Sequence, residues 1–113
     1  MKRCTTPQHT FTMPVDMPQG AEYNIVYAQG EEYKEKFLFE VKTDKCDGRV
    51  VTVRLTKEQT ALFDEAPHWQ NGVYEPYPVH IQIEYTTPGG ENDKSNIITV
   101  PLERCLPKGG AAE

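Results

Sequence analysis

Val79-His80-Ile81-Gln82-Ile83-Glu84-Tyr85 is the stretch that decides the fold. Apolar and polar residues alternate along it, the period-two signature of a strand with one dry face and one wet face. The same alternation recurs upstream. Tyr23, Ile25 and Tyr27 alternate with Asn24, Val26 and Ala28 over Glu22–Gln29, and Val51, Val53 and Leu55 alternate with Thr52 and Arg54. Tyr33, Phe37, Phe39 and Val41 mark a strand ending near Lys42, with Lys36, Leu38 and Glu40 on its wet face. His9, Phe11 and Met13 alternate with Thr10 and Thr12 in a first strand over residues 8–14. Downstream, Ile98, Val100 and Leu102 share one face of a last strand over residues 96–102.

The segments between these runs carry turn chemistry. Residues 16–20, 29–31, 44–48 and 87–93 are rich in Gly, Pro, Asp and Asn, and Asp47-Gly48 fits a hairpin or bulge position. Pro7 and Pro14 bracket the first strand. Proline brings no N–H to a ladder, which predicts a short strand at a sheet edge. Thr56-Lys57-Glu58-Gln59 matches a capping box, so a short helix is predicted near residues 57–63, pinned by Leu62 and Phe63. Residues 64–72 read as a loop, and residues 73–78 as an extended segment broken by prolines. The whole reads as an all-β, antiparallel, Ig-like β-sandwich of about six to eight strands with one short helix. An N-terminal arm (residues 1–7), the sandwich (8–106) and a disordered tail (107–113) are expected.

At 113 residues the chain suits one domain. Its 17 acidic residues outnumber its 12 basic ones for a formal charge of −5, and Lys34 and Lys36 are interleaved with Glu32 and Glu35. Such a surface repels a phosphate backbone, so nucleic acid is not expected as a partner. No run reaches the about 18 apolar residues that cross a bilayer, and no apolar run follows Lys2 and Arg3. Neither membrane insertion nor a signal peptide is expected, so the chain is expected to be made and kept in the cytoplasm unless a larger assembly carries it out. Cys4, Cys46 and Cys105 are an odd count without a C-x-x-C pair and read as reduced thiols, with a Cys4–Cys105 bridge as the alternative.

Nothing in the chain spells a reaction. There is no G-x-S-x-G, no phosphate-cradling glycine motif and no H-E-x-x-H, and no catalytic residue, metal or cofactor is assigned. His9, His68 and His80 are not spaced with the cysteines as zinc ligands. His80, flanked by Gln82 and Glu84, reads as a surface histidine rather than a base, and His9, in phase with Phe11, tucks its ring at the core margin. Cys46 sits among Lys45, Asp44 and Asp47, without the positive surroundings of a reactive thiol. Glu91-Asn92-Asp93 lacks EF-hand spacing and reads as a solvated turn.

Trp69, Tyr74 and Tyr77, with Pro67, Pro76 and Pro78 among them, form the most informative cluster. Large rigid aromatics of this kind anchor interfaces. The competing reading has Trp69 buried as a cap on the open end of the sandwich. Phe11 and Met13, on the proline-bounded edge strand, are a second candidate interface, through strand addition with a neighbour.

Three stretches carry a resemblance. Residues 5–14 (TTPQHTFTMP) are similar to T-T-P-x-H-T-F-T-L-P. Residues 53–63 (VRLTKEQTALF) resemble a strand followed by L-T-x-E-E-T-x-x-F, and residues 95–106 (SNIITVPLERCL) resemble S-N-I-x-x-V-x-V-E-R-x-L. The pattern resembles small proteins of phages and prophages of Firmicutes and the N-terminal β-sandwich domain of phage baseplate upper proteins. Residues 67–77 depart from it, being longer and more aromatic. The resemblance implies a non-enzymatic virion component, tail-, baseplate- or capsid-associated, with other virion proteins or further copies of itself as partners. A carbohydrate- or ligand-binding sandwich using the same aromatics is the alternative.

Overall fold

A computed structural model describes residues 1–31, 33–70 and 72–103. Along the chain run β1 (Gln8–Thr12), β2 (Glu22–Gln29), β3 (Lys36–Thr43), β4 (Val50–Arg54), α1 (Lys57–Thr60), β5 (Pro67–Gln70), β6 (Val73–Pro76), β7 (Val79–Thr86), β8 (Asn92–Lys94) and β9 (Ile98–Val100). Every pairing is antiparallel. β3, β2 and β7 lie side by side, and β8 and β9 share the far flank of β7. β1 pairs β4, and β5 pairs β6. The fold is all-β and sandwich-like with one short helix.

Alternation builds the core. Tyr23, Ile25, Tyr27 and Gln29 of β2 point inward beside Val79, Ile81 and Ile83 of β7, with Ile25 opposite Ile83 and Tyr27 opposite Ile81. Phe39 of β3 joins this face beside Tyr27, and Phe11, Met13, Val51, Val53, Leu55 and Phe63 complete the core cluster. Each such side chain, once buried, contributes about 1.5–3 kcal/mol relative to exposure. The side chains of Phe11 and Met13 are part of this core and are not presented on the surface. Among the described residues β1 pairs only β4, so its other backbone edge carries no ladder while its apolar side chains point inward.

Several elements depart from simple alternation. Tyr33 lies in the turn before β3, at φ +66°. A β-bulge sets Tyr27 opposite Phe39 but Ala28 opposite Phe37, with Leu38 as the extra residue. The bulge flips Phe37 to the outer face, where it is 60% exposed, and lets Leu38 pack against the core. The capping box forms, since the Thr56 hydroxyl accepts from Gln59 N–H and the Gln59 carboxamide accepts from Thr56 N–H. The helix ends after one turn, so Phe63 is buried but Leu62 stays exposed. The turn at Asp47 closes as foreseen, with Asp47 and Val50 exchanging backbone hydrogen bonds of 2.8 and 2.9 Å. It does not pair β3 with β4, however; it carries the chain from one sheet to the other. β8 was not foreseen in the polar 87–93 region, and Leu102 is buried beyond the end of β9.

Residues 1–7 lie against the body. The buried Thr60 hydroxyl donates to Thr5 O (2.8 Å) and accepts from Thr5 N–H (3.0 Å). Arg3 Nη2 donates to Ala61 O (2.9 Å), and Met1 O accepts from Glu103 N–H (2.8 Å). The tail expected over residues 107–113 lies outside the described residues.

His9 closes the core margin as anticipated. Its Nδ1 is 2.7 Å from the Tyr27 hydroxyl, and the two rings stack at 5.8 Å. Burial, and then the Met1 ammonium, hold its pKa below the ordinary imidazole value. The unfolded chain consequently takes up a proton that the folded chain resists. His9 thus contributes stability in full above the ordinary histidine pKa of about 6.5, and the contribution is lost as pH falls from there toward the lower folded value. Urea unfolding at stepped pH is expected to show a midpoint that drops on acidification below about pH 6.5, with a smaller drop in His9→Gln. Identical pH profiles for the two proteins contradict this assignment.

Candidate functional site

Residues 67–76, expected as loop and broken extended chain, form a β-hairpin. Pro67 pairs Pro76, His68 pairs Glu75, Trp69 pairs Tyr74 and Gln70 pairs Val73. Only Asn71 and Gly72 link the strands, and Gly72 has φ +81°. Asn-Gly is the strongest two-residue hairpin signal a sequence offers, because left-handed backbone suits both residues. It was the available clue. The prolines at the base bring no N–H to the ladder, which suits a ribbon with no further strand beside it.

Directly paired residues share a face, and so do residues two apart. Pro67, Trp69, Tyr74 and Pro76 therefore line one face of the ribbon, and His68 and Glu75 belong to the other. The Trp69 and Tyr74 rings are 5.2 Å apart and tilted by 42°. Trp69 is 73% exposed and Tyr74 58%, so Trp69 does not cap the sandwich. Tyr77 sits apart from this pair, half-buried at the hairpin base, with its ring stacked on His68 at 4.2 Å. Of the five residues singled out in the sequence, the fold brings two together on a surface, puts a third at its base and buries Phe11 and Met13.

The base is held by a residue the sequence reading passed over. Gln29 is the last inward position of β2 and is 6% exposed. Its Nε2 donates to Asp64 O (2.8 Å) and Tyr77 O (2.9 Å), and its Oε1 accepts from Asp64 N–H (2.8 Å). One carboxamide thus ties down the chain immediately before and after the hairpin. Nothing in a period-two pattern marks a polar residue at an inward position, except that it breaks the apolar series.

Beside this anchor lies a groove of about 460 Å³, lined by Gln29, Lys34, Lys36, Leu62, His68 and Tyr77 among others. His68 Nε2 is 4.0 Å from Asp64 Oδ2. The remaining chemistry-bearing groups are scattered. His80 is on the outer sheet face, with Nδ1 3.2 Å from Thr99 Oγ1 and Nε2 3.3 Å from Gly30 O. Glu35 is held below the usual carboxylate range, chiefly by backbone N–H groups of Glu35 and Tyr33. Burial first, then Cys46 beside it, pushes the Tyr23 phenol upward. Cys4 and Cys46 are free thiols, and Cys105 lies outside the described residues. Among the described residues no three His, Cys, Asp or Glu side chains gather as a metal site, and no helix is long and apolar enough to cross a membrane.

Compared with protein-family models, curated proteins and solved structures, the chain finds no match in any of the three.

Replacing Gln29 by leucine leaves the Asp64 N–H and two carbonyls without their partner. A cost of about 1–3 kcal/mol in urea unfolding is expected. Trp69 is the only tryptophan, so its fluorescence anisotropy reads the hairpin directly. That anisotropy is expected to fall in Gln29→Leu; an unchanged value would show that the amide does not hold the ribbon.

Proposed function

We propose that this protein is a non-catalytic assembly module, a structural or adaptor component of a phage or prophage virion, and that it docks through the Trp69–Tyr74 face of the β5–β6 hairpin. One observation carries the reading: the chain's only tryptophan is 73% exposed on a ribbon fastened to the body by a buried amide. Water gains nothing from a solvated indole beside a solvated phenol, whereas a partner surface that covers both gains their apolar area and their rigidity. Tryptophan and tyrosine are the residues that most often dominate such contacts. The virion setting is supported by the resemblance of residues 5–14, 53–63 and 95–106 to small phage and prophage proteins. A binding role without turnover is supported by the separation of the histidines: His9 at the core margin, His68 on the hairpin and His80 on the outer face.

A second reading has its own observation. The groove at the hairpin base falls within the roughly 300–1,000 Å³ range of small-molecule sites, and the stacked His68–Tyr77 pair offers it an aromatic wall. Sugar binding on a glycan array, lost in Tyr77→Ala and kept in Trp69→Ala, favours this ligand-binding module over the docking module.

The docking reading is tested by Trp69→Ala. Incorporation into particles, assayed with the neighbouring phage genes co-expressed, is expected to fall about tenfold or more. The thermal melt is expected to stay close to that of the parent, because an exposed cross-strand aromatic pair contributes only about 0.2–1 kcal/mol. Undiminished incorporation refutes the docking reading, and so does loss explained by an unfolded variant when the milder Trp69→Leu incorporates normally.

A further inference from the structure

β1 has one edge in use. Leu55 N–H donates to Pro7 O (2.9 Å) and Met13 N–H donates to Arg49 O (2.7 Å), at the two ends of the β1–β4 pairing. Along an antiparallel ladder, residues that bond the neighbour alternate with residues whose N–H and C=O point the other way. Pro7, His9, Phe11 and Met13 therefore turn their backbone toward β4. Gln8, Thr10 and Thr12 turn theirs to the opposite edge, and among the described residues nothing bonds those groups. The flanking prolines frame this edge without blocking it. The N–H that Pro7 lacks would have faced β4, whereas Pro14 stands in the outward phase and ends the edge.

An unpaired edge invites another strand unless charge, a bulge or proline guards it. β3 has Lys36, Glu40, Lys42 and its bulge, and β8 has Asp93 and Lys94. The outer face of the β1–β4 ribbon shows Gln8, Thr10, Thr12, Val50, Thr52 and Arg54. It holds no carboxylate, although the chain carries −5.

We propose that β1 pairs with β1 of a second copy across a two-fold axis at Thr10, joining two β1–β4 ribbons into one antiparallel sheet. Thr10 then stands opposite its own copy, and Gln8 opposite the copy of Thr12. Each such pair exchanges two N–H···O bonds, so every outward group of β1 is used. A register one step to either side sets Thr12 against Thr6 or Gln8 against Pro14. Thr6 O already accepts from Arg54 Nη1 (3.0 Å), and Pro14 has no N–H. The edge thus matches itself in length and phase, as an isologous contact requires. Paired threonines across strands are favourable, and no like charges meet, because Arg54 lies on the far strand of each ribbon. The contact uses no part of the hairpin and stands or falls apart from the docking reading above.

One added strand buries less than the roughly 1,200–2,000 Å² of a standard interface, so a reversible dimer is expected. Sedimentation of the full chain over a concentration series is expected to show the mass rising from 12.9 kDa toward twice that value. Thr10→Pro removes the central outward N–H and no bond to β4, and is expected to stay monomeric over the same range. Thr10→Lys and Thr10→Glu keep the backbone and set like charges against each other. Each is expected to weaken self-association about tenfold or more, and their equimolar mixture to recover it. These two variants decide the matter if Thr10→Pro does not melt cooperatively.

A parent chain that sediments as a monomer throughout overturns the proposal. So does a dimer that persists in the Thr10 variants, or a lysine–glutamate mixture that fails to recover, since either places the contact or its axis elsewhere. Loss of the dimer in Trp69→Ala with the Thr10 variants unaffected assigns self-association to the hairpin and overturns it as well. A β1-dimer alongside undiminished incorporation of Trp69→Ala upholds the proposal while the docking reading fails.

Discussion

Three hydrogen bonds from one buried carboxamide decide how the exposed part of this molecule is held. The inward row of β2 runs Tyr23, Ile25, Tyr27, Gln29. The first three fill the core, and the fourth stands where the sandwich ends and the hairpin begins. A buried amide without partners costs several kcal/mol, so Gln29 is tolerated there only because Asp64 and Tyr77 satisfy it. The dependence runs both ways. The same bonds fix the spacing of residues 64 and 77, and that spacing closes the segment from which the hairpin rises. Among the described residues its strands pair with each other and with no other strand, so the amide does the fastening that sheet pairing does elsewhere.

A chain of rings crosses the core above this anchor. His9 stacks on Tyr27 at 5.8 Å, Tyr27 on Phe39 at 4.7 Å, and Phe39 meets Phe63 at 5.7 Å. The series links β1, β2 and β3 to the segment that follows α1, joining both sheets through contacts that depend on ring geometry as well as area. Its polar end faces the margin, where His9 and the Tyr27 hydroxyl satisfy each other. The Tyr27 phenol is pushed well above its ordinary value by burial, so it stays neutral and able to donate.

Alternation made β2, β4 and β7 legible in the sequence because each has one face buried without interruption. It failed where one residue was added. A strand with an unmarked bulge reads as continuous, so Phe37 was assigned to the face of Phe39 when Leu38 had moved it to the other. The same pattern found that Phe11 and Met13 share a face but could not say that the face lies inward, because a two-stranded sheet has one inside and one outside with equal period. The hairpin was hidden differently. Its inward-and-outward contrast is weak, since neither face enters the core, and prolines at both ends masked the strands. Local turn chemistry at Asn71-Gly72 carried that information instead of periodicity. Gln29 was illegible in principle: the partners of its side chain are the backbone groups of residues 35 and 48 positions away.

The exposure of Trp69 follows from these constraints. Burying it against the body would require the ribbon to fold over, and the Gln29 bonds at its base set where the ribbon leaves the sheet. The pairing of Trp69 with Tyr74 then fixes the two rings relative to each other at low entropic cost, since a short hairpin and a ring with two torsions leave little to order on contact. A rigid aromatic pair in water is a poor arrangement for stability alone. It is a good one for association, because the ordering that a partner would otherwise have to impose is already present in the free protein.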